Sequence, residues 1–522
     1  MDEERRIRLA RAATLVIGAF ILSRALGLGR EIIIGSEFGT TRELDAYLAA
    51  FRIPDLIFQL IAGGALGSAF IPTFTTYLAR GREREAWRLA SSIMNLVLVV
   101  LTACAVLAGL LAPWLVTTVV VPGFTADEQA LTVQLMRIML VSPVVFGLSG
   151  VIMGILNSRQ HFLLPALAPA VYNLCIIGGA VLLAPTMGIH GLAVGVVAGS
   201  FMHLAIQIPQ LVRQRMSYSP VIDVYHAGVR EVGRLMLPRM LGLATMQINF
   251  MVNTFLASTL VEGSLAALNY AWLMMMLPQG IFAMGIATAA FPIFSELAAT
   301  GRTDELRATL TETLRLILFV SIPSTVALIV LREPLTQLLL QRGRFDPSST
   351  HAVAWALQFY ALGLVAHSAL EILTRGFYSM HDTRTPVAIG AGAMLLNIIF
   401  SLALIAPLQH GGLALANSLA TILEIVVLLV VIRGRLGGFD GRALMRCAVK
   451  TGLAATVMGL AILWYTATSG ASHVALRAGG GVLFGGVVFL IVSLATRSEE
   501  LRGLRSILRR QRSHTRREDG ST

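Results

Sequence analysis

Charge is what this chain has least of. Of its 522 residues only 13% are charged, and a single lysine, Lys450, stands among forty arginines. A soluble domain is nearer a quarter charged, so that class is excluded. Cysteine is scarce too: Cys104, Cys175 and Cys447 lie singly in apolar runs, which excludes a disulfide framework or a cysteine metal site. The phosphate-binding loop, His-Glu-x-x-His, Cys-x-x-Cys and Gly-x-Ser-x-Gly are all lacking, and the ten histidines show no ligand-pair spacing. No catalytic residue, metal or cofactor is therefore expected. Without a nucleotide site, transport would draw on an ion gradient, the membrane potential or the substrate's own gradient. The sequence does not identify a coupling ion.

What the chain does have is apolar length. It is 56% hydrophobic with a mean hydropathy of +0.75. Runs long enough to cross a bilayer recur and read as fourteen spanning helices, from 9–34 and 44–78 to 447–467 and 474–495. A net charge of +12 could suggest nucleic acid. The arginines instead cluster in short alternate loops such as 80–88, 213–234 and 433–446, which is the positive-inside pattern. A nucleic-acid partner is excluded on that ground, and both termini are expected in the cytoplasm. Residues 332–344, with three arginines on the opposite side, are an exception to the pattern. The first span lacks a small-residue cleavage site, so a retained helix is expected there.

An internal repeat organises the spans. Ala69-Phe70-Ile71-Pro72 recurs as Ala290-Phe291-Pro292, and Gly81 recurs as Gly301. Gly123-Phe124 recurs near Gly343 and Phe345, and Gly191-Leu192-Ala193 recurs as Gly412-Leu413-Ala414. The spacing is 220 or 221 residues each time. Each repeat holds six spans, an even number, so both should share one orientation, with a site at their interface. The expected fold is an all-α integral membrane protein: an N-lobe over 1–215, a C-lobe over 216–434, two further helices within 435–496 and a basic tail over 497–522.

The first span carries Arg24, Arg30 and Glu31, which lipid-facing helices avoid. One arginine near a helix centre costs about 2.5–3.5 kcal/mol on insertion scales, so Arg24 is expected to face a polar cavity. Arg30 and Glu31 lie nearer the helix end, where snorkelling to the headgroups is the alternative. The repeat pairs Leu22–Leu28 with Leu237–Leu243, which makes Arg239 the counterpart of Arg24. Arginine presents a planar fork of donors and stays charged when desolvated, so arginines from both lobes suit an anion such as a pyrophosphate. Arg52, seven residues after Asp45 on the second span, shares its face and is a further candidate. For Asp45 a helix-end surface charge is the alternative.

At these residues the sequence resembles the MurJ/MviN family of lipid II flippases. The motifs are Ser23-Arg24-x-Leu26-Gly27-x-x-Arg30-Glu31, Asp45-Ala46, Pro54, Gly64-Ala65, Ala69-Phe70-x-Pro72 and Pro122-Gly123-Phe124. Gly154-x-Leu156-Asn157, Gly376-Phe377-Tyr378-Ser379, Asp382 and Thr385-Pro386 continue it. The resemblance covers roughly residues 10–495. It implies a fold of the multidrug/oligosaccharidyl-lipid/polysaccharide exporter type and flipping of undecaprenyl-pyrophosphate-linked peptidoglycan precursor in a bacterial inner membrane. Alternating access, monomeric state and a lipid-tail groove in the last two spans are expected with it. Ser23, Arg24, Arg30, Arg52 and Arg239 would contact lipid II, and Glu31 and Asp45 would serve as cavity or gating acids. Where many members carry charged residues, this chain has Phe58, Gly63, Leu273 and Met276, so fewer cavity charges are expected. An exporter of another polyprenyl-linked glycan and a drug/cation antiporter are alternatives, the latter requiring an acidic cavity. A membrane glycosyl- or phosphotransferase would need an acidic or histidine cluster on a large outer loop, and the outer loops are short.

Overall fold

A computed structural model of the chain describes residues 3–61, 64–214, 216–469 and 473–501, with side chains from residue 15 onward except 64–66, 68, 238, 239, 241, 242, 245 and 246. Every long regular element among them is a helix. The first four are α1 (Glu3–Phe38), α2 (Arg42–Ile61), α3 (Gly64–Ala79) and α4 (Glu83–Leu110). Then come α5 (Ala126–Ser158), α6 (Leu163–Met187), α7 (Ile189–Arg213), α8 (Ala227–Ser258) and α9 (Ser264–Ala299). The chain ends with α10 (Thr303–Val330), α11 (Pro347–Ser379), α12 (Arg384–Leu408), α13 (His410–Arg435), α14 (Gly441–Thr468) and α15 (Leu476–Ala495).

Among the described residues, eleven helices are long and apolar enough to cross a membrane. Three further segments, α1, α2 with α3, and α8, complete a pattern consistent with fourteen spans. They are also the helices that carry Arg24, Arg30, Arg52 and Arg239. The polypeptide divides into two compact units, Met1–Ala266 with Arg342–Asp346, and Ala267–Gln341 with Pro347–Thr522.

The repeat reappears as matching local geometry. Gly81 and Gly301 take φ of +70° and +69°, a left-handed conformation that glycine adopts without a Cβ penalty. Each is followed by an Arg–Glu ion pair three residues apart, Arg82–Glu85 and Arg302–Glu305, and then by a helix of 28 residues. Gly188 and Gln409 precede α7 and α13 with φ of +58° and +53°.

Packing follows the same correspondence. In the first unit Phe70, Phe74, Trp87, Leu89 and Leu156 form the core, with Phe58 packed against it. In the second, Phe294, Leu310, Ile317 and Phe377 do so. Phe74 and Phe294 are repeat-related and both fully buried. Gly154 of the family motif lies where a Cβ would come 2.9 Å from the Phe70 ring, so its role there is close packing. Apolar association gains little inside lipid, and small residues that permit close approach take over. At the α6–α7 crossing, for example, a Cβ on Gly195 would stand 3.0 Å from the Gly179 Cα.

In the second unit α14 and α15 pack on α10 through Phe319, Leu331, Met458, Ile462 and Phe489. Arg315 of α10 ion-pairs with Glu499 (2.5 Å) and Glu500 (2.7 Å) beyond α15. The Arg315 guanidinium holds the Glu499 carboxyl below its usual range. Asp382 accepts backbone N–H bonds from Arg384 (3.1 Å) and Thr385 (3.0 Å) at the start of α12, and it pairs with Arg435. A hydrogen bond from Thr385 leads the causes that keep its carboxyl low. Among the motif residues, Asp382 and Thr385 thus hold a helix start.

Candidate functional site

The charged stretch of α1 is organised by a residue from another helix. Asn173 of α6, 7% exposed, donates from Nδ2 to the Ser23 carbonyl (3.4 Å) and accepts at Oδ1 from Arg30 Nη1 (3.0 Å). Arginine has no acceptor, so the amide oxygen has to be the atom that meets it. Arg30 also ion-pairs with Glu31, and its fork is held in place from two sides. Gly27 faces the same amide, and a Cβ there would lie 3.6 Å from Asn173 Nδ2, an ordinary packing distance. Arg30 and Glu31 are half-buried and paired, and α1 runs without interruption past Gly27 and Gly29. Arg24 differs from both. It is exposed and makes no hydrogen bond or ion pair among the described residues, which leaves its fork available to a ligand.

Arg52 belongs to a second polar group, between α2 and α8. Its Nε donates to Thr254 Oγ1 (2.9 Å), and its guanidinium lies over the Phe250 ring at 5.4 Å. One turn along α8, Gln247 donates to Asp55 Oδ2 (3.1 Å). The sequence reading did not single out Asn173, Asp55, Gln247 or Thr254. The signal was present, since each is a polar side chain inside an otherwise apolar run. The backbone of Arg239 lies on α8, but its side chain is outside the described residues, as is Gly63. Leu273 and Met276, half-buried on α9, bring no charge to the second unit.

Asp45 is placed with neither group. It is 1% exposed and accepts from the backbone N–H of Gly263 (2.8 Å) and Ala266 (2.7 Å), at the first turn of α9. An aspartate at this position satisfies orphan donors and meets the positive end of the helix dipole. A surface charge is therefore not what Asp45 is.

Around it lies a compact knot. Arg42 pairs with Glu128 (3.3 Å), its amide donates to Glu262 Oε1 (3.0 Å), and its guanidinium lies over Phe124. The Gly123 amide donates to Ser258 Oγ (3.2 Å), and the Arg344 amide donates to the Ser36 carbonyl (2.7 Å). A Cβ on Gly123 would stand 2.6 Å from the Ser258 carbonyl oxygen, and one on Gly39 would stand 2.6 Å from that of Arg344. The repeated Gly-Phe anchors near 123 and 343 are thus places where separate backbones touch.

A helical, membrane-spanning fold with an internal repeat and positioned arginines inside its spans, as the described residues have, is the architecture of a polytopic transporter. Residues 34–475 match the family described as lipid II flippase MurJ, and the chain belongs to that family. The match begins after Arg24 and Arg30. A lipid II flippase MurJ of Burkholderia cenocepacia is 31% identical over 437 residues, covering 82% of this chain and 84% of the relative. A probable lipid II flippase MurJ of Vibrio cholerae is 29% identical, covering 81% and 82%. A solved lipid II flippase MurJ in an inward closed conformation superposes with a TM-score of 0.80 at 26% identity, covering 93% of this chain and 99% of that one. An inward-facing multidrug resistance MATE transporter of the MOP superfamily gives 0.69 at 16% identity over 83% of this chain and 99% of that one, which shows a shared fold alone.

Proposed function

We propose that this chain flips lipid II, the undecaprenyl-pyrophosphate-linked peptidoglycan precursor, from the cytoplasmic to the outer leaflet of a bacterial inner membrane. The observation that carries this reading is the pairing of a free guanidinium, Arg24, with a second that is held in place, Arg30. The free fork receives pyrophosphate oxygens, while Glu31 and Asn173 fix the position of the other. Ser23 aligns this stretch through its carbonyl, Arg52 extends the basic surface along α2, and Arg239 supplies the repeat-related cation. The knot around Asp45 is the closed outer gate, and alternating access requires it to release. Residues 435–496 receive the lipid tail, and the working unit is a monomer.

Substrate binding tests the reading. The purified full-length protein should bind a polyprenyl pyrophosphate in detergent, and Arg239→Ala should weaken that binding on the order of tenfold, as expected for one lost charge-assisted contact. Equal binding of a polyprenol without phosphate would contradict the proposal.

The proposed orientation has its own test. Single cysteines at Arg84, Ile222 and Gly438 should resist an impermeant thiol reagent added to intact cells and react after lysis. Labelling of these positions from outside would reverse the topology.

A further inference from the structure

A second basic site lies apart from α1, at the end of the first unit that carries the Arg-rich loops. Its walls are the start of α4, the residue that follows α5, the end of α7 with Gln214, and residues 217–221, and they border a cleft of about 970 Å³. That size suits a small-molecule or headgroup ligand. Four arginines line it, Arg84, Arg88, Arg159 and Arg213, against one acid, Glu83. Arg88 is paired with Asp223 (2.9 Å), and Arg159 with Glu83. Arg84 and Arg213 are exposed and form no ion pair among the described residues. The positive end of the α4 dipole adds to them.

The site is built rather than incidental. Arg159 lies over the Trp87 ring at 4.9 Å and donates to Gln214 Oε1 (3.3 Å), while its buried Nε has no partner among the described residues. The outer wall is a strap fastened along α4. Asn95 Nδ2 donates to the carbonyls of Ser219 (3.2 Å) and Val221 (3.0 Å), and Tyr218 donates to Asn95 Oδ1 (2.8 Å). The amides of Ser219 and Asp223 donate to Ser91 Oγ (3.1 Å) and Ser92 Oγ (3.3 Å).

The strap then turns apolar and aromatic side chains outward: Tyr218 is 55% exposed, Ile222 48% and Tyr225 79%. Aromatic and aliphatic side chains exposed beside a basic cleft mark the headgroup level of a membrane, where basic pockets at helix ends hold lipid phosphates.

We propose that this cleft binds the phosphate headgroup of an anionic phospholipid in the adjoining leaflet. Arg84 and Arg213 contact the phosphate, Arg159 braces the wall of the cleft against Trp87, and the strap residues rest against the acyl region. Only the choice of leaflet, cytoplasmic, rests on the proposed topology. Anion binding here is independent of the flipping reaction.

The test is equilibrium binding of phosphatidylglycerol to the purified full-length protein in neutral detergent, with phosphatidylcholine and inorganic phosphate as comparison ligands. Phosphatidylglycerol should bind at least about tenfold more tightly than phosphatidylcholine, and inorganic phosphate should not displace it at equal concentration. Arg84→Gln with Arg213→Gln should weaken binding on the order of tenfold. Arg442→Gln, which removes an exposed arginine elsewhere, should change nothing. Unchanged binding by the double variant, or an equal loss with Arg442→Gln, overturns the site. Displacement by inorganic phosphate overturns its assignment to lipid. Should the double variant melt early without lipid, Arg84→Lys with Arg213→Lys must retain binding, since it keeps both charges, or the proposal falls.

Discussion

Arg24→Ala is expected to abolish flipping while the protein accumulates in the membrane at wild-type levels. Arg24 is set apart from Arg30 by the internal contacts it lacks. Arg30 is tied to Glu31 and Asn173, so its removal would disturb the α1–α6 contact as well as remove a cation. Arg24 has no partner among the described residues, so its loss breaks no internal contact there. A bidentate Arg–phosphate contact in a partly dry site contributes about 1.5–3 kcal/mol as a charge-assisted bond, or roughly ten- to a hundredfold in binding. Arg24→Lys should recover only part of this, because a point charge replaces the planar fork. The measurement is flipping by wild-type and variant proteins in reconstituted vesicles, normalised to protein content. Full activity of Arg24→Ala would make this arginine a bystander.

The second large effect is expected at the opposite charge. Asp45→Ala leaves the N–H groups of Gly263 and Ala266 without their carboxylate, in a place where Asp45 itself is 1% exposed. Losing such a cap costs about 2 kcal/mol at the upper end of its range, roughly a thirtyfold shift between closed and open forms. If the knot is the outer gate, the shift should appear as exposure rather than unfolding. Ser258→Cys provides the probe, since Ser258 is 1% exposed and accepts the Gly123 amide. With Cys104, Cys175 and Cys447 replaced by alanine, this cysteine should react slowly with an outside reagent in the parent. It should react on the order of tenfold faster with Asp45→Ala. An unchanged rate would show that the Asp45 contact does not hold the gate.

Much of the fold could be read from the sequence because bilayer crossing is a local requirement. Each span must satisfy its own backbone and present some twenty apolar residues. The repeat could be read for a related reason: Gly81 and Gly301 end helices in a conformation that favours glycine, so the residue marks the geometry. The site was legible only in part. Arg24 and Arg30 stand out because charge is costly within lipid. Asn173 is uncharged and stands out less, and nothing near position 173 indicates that its partners are 150 and 143 residues away. Asp45 could be singled out but not explained, because the amides it caps are 218 and 221 residues further along the chain. The strap over 216–223 falls inside the basic loop 213–234 in sequence but carries no basic residue itself, and only its hydrogen bonds to Ser91, Ser92 and Asn95 make it a wall.

The role proposed for the unpaired Arg24 and the positioned Arg30 is to move a pyrophosphate-linked peptidoglycan precursor. The most direct measurement is growth of a bacterium depleted of its own lipid II flippase and supplied with this chain. The unaltered chain should restore growth and normal shape, and Arg24→Ala, present at the same level, should not. Failure of the unaltered chain despite correct membrane insertion, or rescue by Arg24→Ala equal to wild type, would contradict it.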